Sequence, residues 1–430
     1  MNAPNARLAT PAPSSTRVPH CRLCASALRH SFVDLGMSPL CESFLKGEQL
    51  DAMEPYFPLH VLVCEECFLV QLQEYVSPEH IFREYAYFSS YSTSWVEHAR
   101  RYCEMITARL GLGVGSLAVE LASNDGYLLQ HFRPLGVPVL GIEPARNVAK
   151  VAIDKGINTI TEFFGVELAS RLALEHRKAD LILGNNVLAQ VPDLNDFVGG
   201  MKVLLAAEGV VTLEFPHLER LMAENQFDTI YHEHFSYFSL FTVEQVFAAH
   251  GLVLFDVEEL PTHGGSLRVY LAHRESEREV SPAVGALVTR EWALGLDDIT
   301  AYSAFQRQVR QVKHKLLAFL IEAKAAGKTV VGYGAPGKGN TLLNYCGIGT
   351  DFLDFTVDRN PYKHGLYTPG MHIPILAPEA IDAARPDYVL ILPWNLKTEI
   401  MKQMRHIGHW GGQFIVPIPE VTVIAPEGVR

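Results

Sequence analysis

The chain has 430 residues, 48% of them hydrophobic, enough for two or three domains and a large buried core. Asp plus Glu (48) outnumber Lys plus Arg (36), for a formal charge of −12. This disfavours a broad polyanion-binding surface, while leaving room for a local phosphate site made from backbone N–H groups. No apolar run reaches membrane-spanning length. Residues 1–18, rich in Ala, Pro, Ser and Thr, lack the basic start and apolar run of a secretory signal and read as a disordered tail.

Two Cys-x-x-Cys pairs come first, Cys21/Cys24 and Cys64/Cys67. Four thiols on two tight knuckles suit one tetrahedral zinc, and a unit this small needs such a staple. Four thiolates leave no open position, so the zinc is expected to be structural. Cys41, Cys103 and Cys346 read as plain thiols. An aromatic run follows (Phe82, Tyr85, Tyr87, Phe88, Tyr91, Trp95) with serines interleaved, then a helix from about Trp95 to Leu110. The rings fit either a domain-joining core or the wall of a polar ligand pocket.

A strand–turn–helix pattern begins at Leu117, with Glu120, Ala122, Asn124 and Gly126 at alternate positions around Ser123. Small or turn-forming residues after the acid let a nucleoside approach backbone. The second strand ends at Glu143, placed to accept hydrogen bonds from both ribose hydroxyls. Alternating strands and helices continue to Phe215 and predict a doubly wound parallel sheet. Its ligand-binding edge would carry Ser123, Asn124, Glu143, Phe163, Asn185 and Glu214. Residues 227–240 then pack Tyr231, His232, Glu233, His234 and Tyr237 among aromatics, groups that can each give or take a proton or a hydrogen bond. The plainer alternative is an amphipathic segment whose rings are core.

Two strands follow, Leu252–Glu258 and Leu267–Ala272, joined through His263, Gly264 and Gly265, whose glycines allow close backbone approach. Long helices are expected over Pro282–Leu294 and Thr300–Ala326, the latter with a solvated basic face. A second nucleotide-binding pattern starts at Thr329. Gly334, Gly337 and Gly339 expose N–H groups near Lys338, where an anion could rest, although the spacing is not that of a P-loop. Asp358–Pro361, Lys363 and the Thr368–Pro374 loop form a ligand-sized set.

Over nearly its whole length the sequence resembles the sugar C-methyltransferases that act on nucleotide-linked deoxyketosugars. The likeness lies in the paired Cys-x-x-Cys motifs, Tyr87-Phe-Ser-Ser90, Glu120–Gly126, Tyr231-His-Glu-His234, His263-Gly-Gly265, Gly332–Ala335 and Thr368–Pro374. The resemblance implies an α/β protein with a class I S-adenosylmethionine-dependent Rossmann-like domain (residues 81–275), preceded by a small zinc-binding domain (19–80). A helical connector (276–326) and a C-terminal Rossmann-like domain that helps hold the sugar nucleotide (327–430) would follow. It implies His234 as base, with Tyr231, Glu233 and Tyr87 beside it. S-adenosylmethionine would lie on Glu120, Ala122, Ser123, Asn124, Gly126, Glu143, Phe163 and Asn185. The sugar nucleotide would meet His263, Gly264, Tyr333, Lys338, Asn340, Asp358 and Lys363. One departure is Gln190, where some relatives carry a His; Gln cannot relay a proton. The expected enzyme is a cytoplasmic monomer with no nucleic-acid or membrane partner, methylating carbon 3 of a 4-keto-6-deoxysugar. Two other readings compete: a zinc-knuckle RNA methyltransferase, disfavoured by the acidic charge, and a non-catalytic sugar-nucleotide-binding protein.

Overall fold

The computed structural model describes residues 18–82, 88–175 and 178–426; most of the N-terminal tail, Tyr85 and Tyr87 lie outside them. Strands β1 (His30–Ser38), β2 (Phe57–Val63) and β3 (Val70–Leu72) form an antiparallel meander beside the cysteine knuckles. After the short α1 (Pro78–Phe82), helix α2 (Thr93–Leu110) starts where Ser92 accepts the Trp95 N–H and stops at Gly111, whose φ of 64° suits a residue without Cβ.

The middle of the chain alternates as its sequence predicts: β4 (Ala118–Leu121), β5 (Val139–Ile142), α3 (Arg146–Asp154), β6 (Thr159–Ile160), α4 (Val166–Glu175), β7 (Ala179–Asn185), α5 (Leu194–Leu204), β8 (Leu205–Pro216) and α6 (Leu218–Ala223). Then come β9 (Ser236–Tyr237), α7 (Leu240–Ala248), β10 (Leu252–Leu260) and β11 (Ser266–His273). Seven strands form one sheet in the order β10-β11-β8-β7-β4-β5-β6. Five are parallel, but β11 runs antiparallel to both neighbours, so the sheet is mixed at one edge. The short connection through Gly264 and Gly265 forces this, because a parallel pair needs a crossover of a dozen residues or more.

Helices α8 (Pro282–Ala293), α9 (Ile299–Ser303) and α10 (Phe305–Ala325) lead to the last sheet. The expected continuous helix from Thr300 is two, broken at Ala304. That sheet comprises β12 (Val330–Tyr333), β13 (Thr356–Val357), β14 (Ile375–Leu376), β15 (Tyr388–Ile391), β16 (Gln413–Val416) and β17 (Thr422–Ile424), with α11 (Gly337–Cys346), α12 (Glu379–Ala384) and α13 (Lys397–Gln403) between them. Its order is β14-β13-β12-β15-β16-β17, parallel except for β17. Instead of the helix expected to close the strand–turn–helix pattern after Gly126, two one-turn 3₁₀ helices follow. Among the described residues no helix is long and apolar enough to cross a membrane.

The stretch 227–240 holds the sheets together. β9 adds to the first sheet beside β3. Phe227, Ile230 and Tyr237 enter the core shared by the first and third sheets, while Phe238 and Leu240 enter the core of the seven-stranded sheet. Burying each of these large apolar side chains contributes roughly 1.5–3 kcal/mol. The backbone carrying His234 is thereby fixed on three sides.

Candidate active site and metal centre

The four knuckle cysteines gather as their spacing predicts, with ligand atoms within 4.8 Å of one another. Cys21 and Cys67 sulfurs are 3.5 Å apart, as are those of Cys24 and Cys64. Bonds of about 2.3 Å to a tetrahedral zinc would set such sulfurs at comparable separations. Gln71 Nε2 donates to the Cys21 sulfur at 3.1 Å, support of the kind that metal thiolates receive from an outer shell. The knuckle is tied to the larger sheet: Arg22 Nη1 donates to Pro192 O and Asn195 Nδ2 to Arg22 O.

At the C-terminal edge of the parallel strands, the chain buries polar atoms that it does not satisfy. Both Glu120 carboxylate oxygens, Ser123 Oγ and Asn185 Nδ2 are buried without partners. Such orphans are costly unless a ligand completes them. Ala122 and Asn124 sit at φ 55° and 48°, and Gly126 at 75°; a Cβ on Gly126 would collide with Ile157. The Glu143 carboxylate accepts the Asn124 and Ala145 N–H groups, each at 2.9 Å, and burial pushes its pKa up to about 7. Phe163 lies beyond β6, nearly half exposed. Ser89 N–H donates to Asn124 Oδ1, bringing the segment after Tyr87 onto this loop.

The Tyr-His-Glu-His residues point in different directions. His232 Nε2 meets Pro58 O at 3.2 Å, and its ring packs edge-on against Phe57 at 5.8 Å. His234 turns inward: its Nδ1 donates to Thr229 O at 3.0 Å, which leaves Nε2 with its lone pair. Its ring lies 4.1 Å from the Tyr231 ring, centroid to centroid. Burial, aided by the neighbouring His263 and Lys338, holds the imidazole down to about 4. Burial, then Cys41 and Glu233, push the Tyr231 phenol well above its ordinary range, so it remains a hydrogen-bond donor. The Cys41 thiol faces Glu233 at 3.9 Å. Gln190 closes a one-turn helix against this stretch, the preceding Ala189 O accepting the Phe235 N–H at 2.7 Å.

The residues expected to hold the second ligand divide. His263, at φ 54°, meets Asn186 Nδ2 at 3.0 Å and stands edge-on to Trp95 at 5.0 Å. A Cβ on Gly264 would lie 2.6 Å from the Trp394 ring. Lys338 lies over that ring at 5.0 Å and donates to Asn395 Oδ1. The other candidates chiefly serve the chain itself. Asp358 accepts the Ala335 N–H, Lys363 donates to Ala335 O, Asn340 Nδ2 donates to Cys41 O, and Tyr333 O–H donates to Gln403. The glycine nest read as an anion site is already lined by carboxylates, because Glu42 takes the Gly337 N–H and Asp358 the Ala335 N–H.

Glu214, expected on the strand-end edge, and two groups outside the predicted set, Asp228 and Trp394, belong to the same region. Glu214, at the end of β8, accepts from His98, Arg268 and Thr262 at 2.8–2.9 Å. Burial would raise its pKa, but His98 and Arg268 hold it below the usual carboxylate value. This network fixes the start of the His263 loop. Asp228 and Trp394 join across the two halves of the molecule, Trp394 Nε1 donating to Asp228 Oδ2 at 2.7 Å. An Asp at the head of the stretch and Trp-Asn after a strand were legible signals, but nothing in either marks the other as partner.

A seven-stranded sheet with one reversed strand and unsatisfied polar atoms at its strand ends defines a class I S-adenosylmethionine-dependent methyltransferase. Three family models match the chain: "Putative zinc binding domain" over residues 21–82, "Methyltransferase domain" over 95–257 and "C-methyltransferase C-terminal domain" over 261–419. The chain is 39% identical to C-methyltransferase NovU of Streptomyces niveus over 410 residues, covering 95% of this chain and 98% of that protein. It therefore belongs to the zinc-containing, S-adenosylmethionine-dependent C-methyltransferases. Similar solved structures include the PH0226 protein of Pyrococcus horikoshii (14% identity, TM-score 0.35, 47% of this chain and 99% of that one). Another is magnesium protoporphyrin IX methyltransferase of Synechocystis with bound SAM (14%, 0.31, 42% and 81%).

Proposed function

We propose that this C-methyltransferase acts on a nucleotide-linked 4-keto-6-deoxysugar, adding the methyl group at carbon 3. The observation that carries this is His234. It is buried, locked through Nδ1 by Thr229 O, and its Nε2 is free to accept a proton. A carbon beside a ketone is acidic enough for a positioned base to deprotonate, and general-base catalysis of this kind contributes about a hundred- to ten-thousandfold. His234 takes the carbon-bound proton, and Tyr231 donates a hydrogen bond toward the enolate oxygen. Glu233 and Tyr87 stand with them as candidate catalytic groups. S-adenosylmethionine supplies the electrophilic methyl; Glu143 holds its ribose, and Glu120, Ser123 and Asn185 complete the strand-end site.

The sugar nucleotide would lie between His263 with Gly264 on one side and Lys338 on the other. Tyr333, Asn340, Asp358 and Lys363 shape the wall behind it. The zinc unit (19–80), methyltransferase unit (81–275), connector (276–326) and C-terminal unit (327–430) are the proposed divisions of a cytoplasmic monomer. Four thiolates close the zinc, which therefore serves folding. The test is incubation with S-adenosylmethionine and a panel of dTDP-, GDP- and CDP-linked ketosugars, followed by mass spectrometry. Gain of one methyl by a dTDP-4-keto-6-deoxysugar is expected. Methylation of RNA instead, or of no panel member, would overturn the assignment.

A further inference from the structure

The proposed mechanism gives Asp228 no task, and Lys338 only a place in the wall beside the sugar. Asp228 is completely buried in the one-turn helix Phe227–Thr229. Its Oδ2 accepts from Trp394, but its Oδ1 is buried without a partner. A desolvated carboxylate oxygen is tolerated when a cation lies close. The cation acting on Asp228 is Lys338, and each moves the other's titration. The Lys338 ammonium is aimed by Asn395 at 3.0 Å and by the face of Trp394. One turn along α11, Thr341 Oγ1 donates to Ile230 O at 3.2 Å, which pins this helix to the catalytic stretch. The Lys338 charge accordingly falls on both His234 and His263. The start of α11 is occupied by Glu42 and Asp358, so a phosphate there is not what Lys338 serves.

We propose that the Lys338 ammonium, aimed by Asn395 and by the Trp394 indole that also binds Asp228, receives the oxyanion formed when His234 deprotonates the carbon beside the ketone. This role rests on the enolate chemistry proposed above. His234 Nε2 takes the proton; the C–H electron pair becomes the new C=C bond, and the carbonyl π pair moves onto oxygen. Lys338 donates a hydrogen bond to that oxygen and keeps its own proton. On methyl transfer the pair returns to carbon and the carbonyl re-forms. A fixed cation in a water-poor site needs no reorganisation as charge develops, which is why such donors are worth about a hundred- to a thousandfold each. Asp228 is a positioning residue that acts through Lys338.

The test uses the full, zinc-loaded chain with S-adenosylhomocysteine bound and dTDP-4-keto-6-deoxyglucose in heavy water. Loss of the proton beside the ketone is followed by NMR, and methyl transfer is assayed separately. Lys338→Met should lower the maximal exchange and transfer rates by about a hundredfold while leaving KM for the nucleotide within about threefold. Lys338→Arg should recover at least about a tenth of the wild-type rate, because it restores a cation. Asp228→Asn should move the alkaline limb of the rate profile to lower pH, since Lys338 loses the anion that retains its proton. The charged group bearing on Lys338 is Asp228; the neutral His234 and His263 rings face it as further titratable groups, and the Cys346 thiol lies near Asp228. If Lys338→Met does not fold, the Asp228→Asn shift decides. Unchanged rates in a folded Lys338→Met enzyme, a loss confined to KM, or an unmoved alkaline limb would each overturn the proposal. Wild type that neither exchanges nor methylates any ketosugar nucleotide would overturn the substrate assignment itself, before any variant is made.

Discussion

His234 and His232 are one residue apart and have different surroundings, which gives an internal control. His234→Asn is expected to keep the fold and both ligands but lose about a hundred- to ten-thousandfold in turnover, because Asn cannot take a proton near neutral pH. His232→Asn should lose only its bond to Pro58, about 1 kcal/mol of stability, with turnover close to wild type. An active His234→Asn enzyme would pass the base role to Tyr231, Glu233 or Tyr87. The same variant carries a pH signature. The folded-state pKa of about 4 lies below the ordinary 6.5, so the unfolded chain binds a proton that the native site refuses. The stability contributed by neutral His234 is full above pH 6.5 and is lost as pH falls toward 4. The melting temperature of His234→Asn should therefore fall less steeply than wild type across that window; parallel curves would contradict the burial assigned to it. At Glu143, substitution by Ala removes a carboxylate held by two N–H groups. Calorimetry should show S-adenosylmethionine binding weakened at least tenfold, about 1.4 kcal/mol. Unchanged affinity with reduced stability would make Glu143 a loop cap only.

The elements differ in how plainly the sequence announces them. The zinc knuckles were fully legible, because Cys-x-x-Cys spacing is a local signal and two pairs complete one ligand set. Purified without chelator, the chain should carry about one equivalent of zinc, and chelation should unfold the β1-β2-β3 meander and release β9 from it. Absence of metal in such a preparation would contradict the site. The strand–helix alternation from β4 to β8 was legible through its hydrophobic runs. The pairing of Ser236–Tyr237 with β3 was not, because two residues carry no period. The 3₁₀ turns after Gly126 escaped for a similar reason: Leu128, Leu129 and Phe132 are buried in a pattern that also suits a helix. The stretch Gly334–Gly339 reads as an anion nest, but the Gly334 N–H donates to Val357 O, and carboxylates meet the N–H groups of Ala335 and Gly337. What fills them, Glu42 and Asp358, is set by tertiary contacts that spacing does not encode.

In the whole molecule, three sheets meet at one stretch, and each contributes something the others lack. The first brings Cys41, in the connection between β1 and β2, onto Glu233. The second presents unsatisfied polar atoms at its strand ends. The third brings Trp394 and Lys338 to Asp228. Such an arrangement suits a reaction in which methyl donor and acceptor arrive from opposite sides of one base. The most direct measurement is where the methyl group lands. With S-adenosylmethionine labelled at its methyl carbon with carbon-13 and dTDP-4-keto-6-deoxyglucose as acceptor, NMR of the product should show the label bonded to ring carbon 3. The proton formerly on that carbon should be gone. A label on oxygen or nitrogen, or no transfer to this or any other ketosugar nucleotide, would contradict the account.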